Sequence, residues 1–219
     1  MPVLPRPALM LVTDLARAPA GGDAGAWLVA RVAAAAEGGV NVVQLREKRL
    51  DTPARIALGM LVREAIAGGA LLLVNDDVEA ARAIGADGVH LPARGSPRDI
   101  RPRLGREMVI SCAVHSIEEA VRAADAGADL VVAGTVFPSA SHPGGATLGI
   151  AGLRAICDAV RLPVIAVGGM TADTAGEAIA AGAAGVAAIG ALLDAPDGAE
   201  AARRLRTALE AALRVGRCA

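Results

Sequence analysis

Aromatic residues are nearly missing from this chain of 219 residues, which has one Phe (Phe137), one Trp and no Tyr. Its core must therefore be aliphatic, and 54% of the chain is hydrophobic, largely Ala, Val and Leu, as expected of a globular protein. An excess of charge of either sign is also missing. With 22 basic and 23 acidic residues the net charge is -1, which argues against an electrostatic nucleic-acid binder. Cysteine is scarce and odd in number. Cys112, Cys157 and Cys218 are too widely spaced for a disulfide framework or a zinc site, so a reduced, cytoplasmic setting is expected. A lone buried Cys behaves as a small hydrophobe rather than as a nucleophile. The N-terminal Met1–Pro7 segment lacks the charged and apolar regions of a signal peptide. The uncharged stretch Ala178–Leu193 is shorter than the roughly 20 residues a membrane span needs, and Gly182, Gly185 and Gly190 split it. It reads as a helix end, a turn and a strand, so no membrane partner is expected.

What is abundant is short apolar runs. Eight of them recur: Ala8–Asp14, Val40–Arg46, Ala70–Asp76, Gly88–Pro92, Met108–Val114, Leu130–Val136, Pro163–Gly169 and Gly185–Leu192. Between them, Ala24–Glu37, Thr52–Ala67, Ser116–Ala126 and Thr171–Ala181 show helical periodicity or strong helix propensity. Ser116 with Glu119 fits a capping box, and Gly127 and Gly182 stand where helix ends favour a left-handed residue. A related phrase precedes several strands: Ala-Glu-Gly-Gly-Val-Asn, Ile-Gly-Ala-Asp-Gly-Val, Ala-Gly-Ala-Asp-Leu-Val and Ala-Gly-Ala-Ala-Gly-Val. Strict alternation predicts an α/β fold with a parallel sheet. Eight units suit one (β/α)8 TIM barrel over residues 1–219. The alternative, a doubly wound open sheet, is weakened because no Gly-x-Gly-x-x-Gly follows the first strand.

Polar residues gather where strands end: Gln44-Leu-Arg46-Glu-Lys48, Asn75-Asp76-Asp77, His90-Leu-Pro92 and Gly168-Gly169. In a barrel these ends meet at one mouth. A solitary cluster would simply begin a loop, but several converging on one face point to a site. Gly168-Gly169 lets backbone N–H groups approach an oxyanion, and Gly190-Ala191 can open a short helix, so phosphate binding is favoured over a plain turn. Arg46 and Lys48 point to one side and can clamp a second phosphate or a diphosphate. The bland reading is a solvated loop with Glu47 as ion-pair partner. Asp76 can hold Mg²⁺, while Asp76 or Asp77 can equally cap a helix. For His90 and His115 a core or cap role is favoured. The long loop from Thr135 to Gly149 carries Ser139, Ser141, His142 and Thr147 among glycines and prolines, as binding loops do. There His142 is a candidate acid/base.

These residues in this order resemble the family of thiamine-phosphate synthase and the thiazole tautomerase, TenI, of bacterial thiamin biosynthesis. The resemblance spans Val12-Thr13-Asp14 to Ile189-Gly190. It is carried by Gln44-x-Arg46-x-Lys48, Val74-Asn75-Asp76, Gly85-Ala86-Asp87-Gly88-Val89-His90-Leu91, Gly127-Ala128-Asp129, Val136-Phe137-Pro138 and Pro163-Val-Ile-Ala-Val-Gly-Gly-Met170. It implies a (β/α)8 barrel that binds a thiazole phosphate at Gly168, Gly169, Ile189 and Gly190, with Ser139 and Ser141 contributing from the loop. In the synthase, a hydroxymethylpyrimidine diphosphate loses diphosphate with Mg²⁺ help, and the thiazole nitrogen captures the pyrimidine cation. Carried over, Gln44 faces the pyrimidine, Arg46, Lys48 and Asn75 the diphosphate, and Asp76 the metal.

Other positions depart from the synthase pattern. Its Gly-Gln-x-Asp after His-Leu is Pro92-Ala93-Arg94-Gly95 here, so the second metal carboxylate is lost. Its Ser ahead of the strand-five His is Ala113, and its Thr-x-Thr-Lys is Ser139-Ala140-Ser141-His142. Asp77 or Asp99 is the available substitute for the lost carboxylate. Meanwhile His90-Leu-Pro92 and Val114-His115-Ser116-x-Glu118-Glu119-Ala120 look more like the tautomerase branch, although the His of that branch aligns with Thr135. The first reading is therefore a thiazole tautomerase, needing no cofactor and using His142 as acid/base. The synthase, with Mg²⁺, is the alternative. A non-catalytic binder of thiazole phosphate is another, and a barrel of sugar or tryptophan metabolism leaves Gln44-x-Arg46-x-Lys48 unexplained. The expected partners are small phosphorylated molecules, and a homodimer is compatible with the resemblance.

Overall fold

The computed structural model describes residues 3–139 and 144–216. Its eight strands are β1 (Ala8–Val12), β2 (Val42–Leu45), β3 (Leu71–Asn75), β4 (Gly88–Leu91), β5 (Val109–Val114), β6 (Leu130–Gly134), β7 (Val164–Val167) and β8 (Gly185–Ala188). All pair in parallel and in sequence order, and β8 closes onto β1 through Ala8↔Gly185 and Leu11↔Ala188. The fold is thus a closed (β/α)8 barrel, and the open-sheet alternative is excluded. The surrounding helices are α1 (Ala24–Glu37), α2 (Thr52–Ala65), α3 (Val78–Ile84), α4 (Pro97–Leu104), α5 (Ile117–Asp125), α6 (Gly149–Ala159), α7 (Ala172–Ala180), α8 (Gly190–Leu193) and α9 (Gly198–Gly216). Among the described residues, no helix is long and apolar enough to cross a membrane.

Successive strand residues face opposite sides, so each strand feeds two cores. Met10, Val12, Val42, Leu73, Leu130, Val132 and Ile165 fill the barrel interior. Leu9, Leu11, Val43, Leu45, Leu72 and Val74 pack outward beneath the helices. Each such side chain contributes about 1.5–3 kcal/mol by leaving water. The same period of two carries polar groups to the top of the interior: Gln44 stands two residues above Val42, and Asn75 two above Leu73.

Helix starts follow from short polar caps. Asp23, Asp51, Asp77, Ser96, Ser116 and Thr171 each accept a backbone N–H of the helix that follows. The capping box expected at Ser116 is only half formed: Ser116 Oγ accepts the Glu119 N–H, but Glu119 Oε2 takes the N–H of His115 instead of that of Ser116. A full box forms at Thr171 and Thr174, where no Glu or Gln signals it. Gly127 (φ 89°) and Gly182 (φ 102°) do adopt the left-handed region after their helices.

The recurring phrase sits at the base of the barrel. Asp87 Oδ2 accepts the Leu72 N–H at 2.8 Å and pairs with Arg63 at 2.6 Å. Asp129 Oδ2 accepts the Ile110 N–H at 2.7 Å and pairs with Arg101 at 2.6 Å. Asn41 Oδ1 likewise accepts the Leu9 N–H at 2.8 Å. Three of the four phrases therefore fasten the start of a preceding strand through a side chain, while the fourth has Ala184 at that position.

Candidate active site

The carboxyl ends of the strands open into a cleft with two lobes, which share His115, Gly134, Val167 and Ile189 in their walls. The larger lobe, about 750 Å³, is lined by Ser139, Thr147, Gly168, Gly169, Thr171, Gly190, Arg17 and Asp194, among others. The smaller, about 570 Å³, holds Gln44, Arg46, Lys48, Asn75, Asp76 and His90. Of the residues singled out from the sequence, Ser139, Gly168, Gly169, Ile189 and Gly190 thus meet in one lobe, and Gln44, Arg46, Lys48, Asn75 and Asp76 in the other. Ser141 and His142 lie outside the described residues.

In the smaller lobe, Gln44 is buried and its Nε2–H donates to Asn75 Oδ1 at 3.1 Å, so the two amides set each other's orientation. Arg46 and Lys48 lie just beyond the end of β2, not on it, yet both reach the lobe. Glu47 between them is not their ion-pair partner, contrary to the bland reading. Its side chain turns inward, where Oε1 accepts the Thr13 hydroxyl at 2.6 Å and Oε2 the Leu15 N–H at 3.0 Å. Burial raises its pKa against the lowering effect of those hydrogen bonds. Asp76 is exposed and left-handed (φ 50°), a conformation Asp tolerates, and its N–H donates to the His90 carbonyl at 2.9 Å.

Two substitutes for the missing metal carboxylate are ruled out by placement. Asp77 caps α3 and binds Thr52 and Arg55. Burial raises its pKa, but the N–H of Ala80, the Thr52 hydroxyl and the Arg55 guanidinium outweigh it and lower the net value. Asp99 is exposed in the first turn of α4, outside the lining of both lobes. Among the described residues, no three His, Cys, Asp or Glu side chains gather as a metal cage. Mg²⁺ does not need one, since a single carboxylate plus substrate phosphate oxygens and water suffices, and Asp76 fits that role.

His90 has the core role expected of it. It is buried, its Nδ1 lies 2.9 Å from Ser111 Oγ, and burial together with the charges of Arg46 and Lys48 lowers its pKa to about 4. His115 does not: it is exposed in the wall common to both lobes. Its Nδ1 lies 2.6 Å from the Gly134 carbonyl, an acceptor only, so Nδ1 carries the hydrogen and Nε2 is left for other work. Cys112 is inert, with burial foremost raising its thiol to about 12.

In the larger lobe, Gly168 (φ 99°) and Gly169 (φ 65°) are required twice over. A Cβ on Gly168 would stand 2.4 Å from Thr135 Cγ2, and one on Gly169 would stand 2.6 Å from Phe137 Cβ. The close approach is cemented by Val136 N–H to Val167 O at 2.9 Å and Phe137 N–H to Gly168 O at 3.1 Å. The loop after β6 is thereby strapped along the end of β7. The short helix expected at Gly190 is α8. Arg17 and Asp194 escaped the sequence reading. They form an ion pair at the α8 end of the lobe, and the only signal for Arg17 was its position three residues after the polar end of β1.

The chain is similar to known proteins along most of its length. A family model described as thiamine monophosphate synthase (TMP-TENI) matches residues 9–192. A thiamine-phosphate synthase of Pyrococcus furiosus is 36% identical over 186 residues, covering 84% of this chain and 90% of that protein. A bifunctional thiamine biosynthesis protein, ThiED, of Geobacter sulfurreducens is 41% identical over 184 residues, and the match covers 81% of this chain but only 37% of that longer protein. The solved structure of a thiamine phosphate pyrophosphorylase from P. furiosus superposes with a TM-score of 0.82 at 34% identity, over 94% of this chain and 96% of that one. The chain belongs to the thiamine monophosphate synthase (TMP-TENI) family of thiamin biosynthesis.

Proposed function

We propose that the protein is a thiamine-phosphate synthase, the alternative rather than the first of the two readings that its sequence suggests. One observation carries this: the cleft has a charged lobe in addition to the glycine-lined one. A tautomerase acting on a thiazole carboxylate phosphate has one phosphate and a singly charged carboxylate to hold, and needs no clamp for a diphosphate. A transferase that expels diphosphate needs one. The relatives named thiamine-phosphate synthase support the same choice.

Thiazole phosphate sits in the larger lobe, its phosphate against the N–H groups of Gly168 and Gly169 and the Ile189–Gly190 turn, with Ser139 alongside. Pyrimidine diphosphate sits in the smaller lobe. Gln44, held by Asn75, orients the pyrimidine, while Arg46, Lys48 and Asn75 take the diphosphate oxygens. Asp76 would hold Mg²⁺, and the metal would supply charge neutralisation for the diphosphate leaving group. The pyrimidine C–O bond breaks, the bonding pair leaves with diphosphate, and the thiazole nitrogen closes the new C–N bond. Arg46 and Lys48 bind the departing diphosphate more strongly as its charge grows, which is how they lower the barrier.

The test supplies both substrates with and without Mg²⁺. Metal-dependent formation of thiamine phosphate and diphosphate in equal amounts is expected. No condensation, with isomerisation of a thiazole carboxylate phosphate seen by NMR, would transfer the assignment to the tautomerase. That second reading draws support from His115 at the junction of the lobes, in place of His142.

A further inference from the structure

A phosphate in the larger lobe brings a double negative charge, and backbone N–H groups alone answer it weakly. Among the described residues lining that lobe, Arg17 is the one permanent cation. Its side chain is 19% exposed, and its Nε lies 3.4 Å from Asp14 Oδ2, so its stem is held at the rim of β1. Its guanidinium passes over the start of α8: a Cβ on Gly190 would stand 3.1 Å from Nη1 and 2.8 Å from Asp194 Oδ2. The partner carboxylate of Asp194 is 52% exposed. An ion pair with one well-anchored member and one solvated member is easily exchanged, since the solvated acid is readily taken back by water.

We propose that Arg17 clamps the phosphate of the thiazole substrate, exchanging its bond to Asp194 for phosphate oxygens. Gly190 lets the pair lie close over the start of α8, since a Cβ there would make the ends of Arg17 and Asp194 shift. This rests on the placement of thiazole phosphate in the larger lobe under the proposed function. Arg17 is then a specificity determinant for a phosphorylated over an unphosphorylated thiazole, and Asp194 is the carboxylate that the phosphate replaces.

The experiment measures binding of thiazole phosphate, and of the same thiazole without its phosphate, by calorimetry, alongside KM for both substrates. Arg17→Gln is expected to weaken thiazole phosphate binding about tenfold or more, while binding of the unphosphorylated thiazole and KM for the pyrimidine diphosphate stay within about twofold. Arg17→Lys restores part of the loss, and Asp194→Asn holds or tightens binding. Wild-type affinity in Arg17→Gln would overturn the proposal. So would equal losses in Arg17→Gln and Asp194→Asn for both thiazoles, because that pattern marks a strut between the β1 loop and α8. Binding that depends on Arg17 in a protein that makes no thiamine phosphate would retain the clamp and remove only the synthase reading.

Discussion

The two ends of the barrel use the same kinds of side chain for opposite purposes. At the base, Asp87 and Asp129 each take a backbone N–H of a neighbouring strand and an arginine, so their charges are spent within the fold. At the mouth, Arg46, Lys48 and Asp76 line a cavity, and no ion pair joins them among the described residues. An acid or base whose hydrogen bonds close internally stabilises. One directed into a cleft is available to a ligand.

Removing the mouth charges should give the largest effect. Lys48→Ala or Arg46→Ala is expected to lower kcat about 10²–10³-fold, with urea midpoints unchanged. A matching loss of stability would mean that these cations are structural. Between the two ends of the range stands His90, which lines the mouth yet is buried. Its folded pKa of about 4 lies below the roughly 6.5 of an unfolded His, so the native state is favoured at neutral pH. That stabilisation, about 3 kcal/mol, is lost as pH falls from about 6.5 to about 4. Glu47, with a raised pKa, acts in the opposite direction, weakening the fold as pH rises above its unfolded value. The His90 contribution is therefore read as the difference between wild type and His90→Gln in denaturation series at each pH. Parallel curves would refute it.

At the base, Asp129→Ala strands the Ile110 N–H and should cost about 2 kcal/mol in denaturant titration while kcat of the folded enzyme stays at the wild-type value. The smallest effect is expected from Ser116→Ala, which removes the cap of α5 at a cost of about 1 kcal/mol. Because Ser116 adjoins His115, a change in kcat there, instead of a purely thermal effect, would show that the cap positions the imidazole.

The barrel was legible because a strand buried on both faces is a continuous apolar run, and eight such runs alternate with helices. The charged lobe was legible because its residues are neighbours in the chain, within Gln44–Lys48 and Asn75–Asp76. Arg17 was not, since its partner is 177 positions away and only barrel closure brings β1 beside β8. Nor was the role of Glu47, because a carboxylate between two cations reads as their partner until the buried Thr13 hydroxyl is seen to claim it. The order of the two reactions turned on such a point. The departures at Pro92–Gly95 and His142 argued for the tautomerase, whereas the assembled lobe and the relatives argue for the synthase.

The inward turn of Glu47 has a consequence for how strongly the cleft draws an anion. Added along the chain, Arg46, Glu47 and Lys48 amount to one net positive charge. With the carboxylate folded beneath the rim and hydrogen-bonded to Thr13 and Leu15, the two cations of this stretch face the lobe while the carboxylate between them does not.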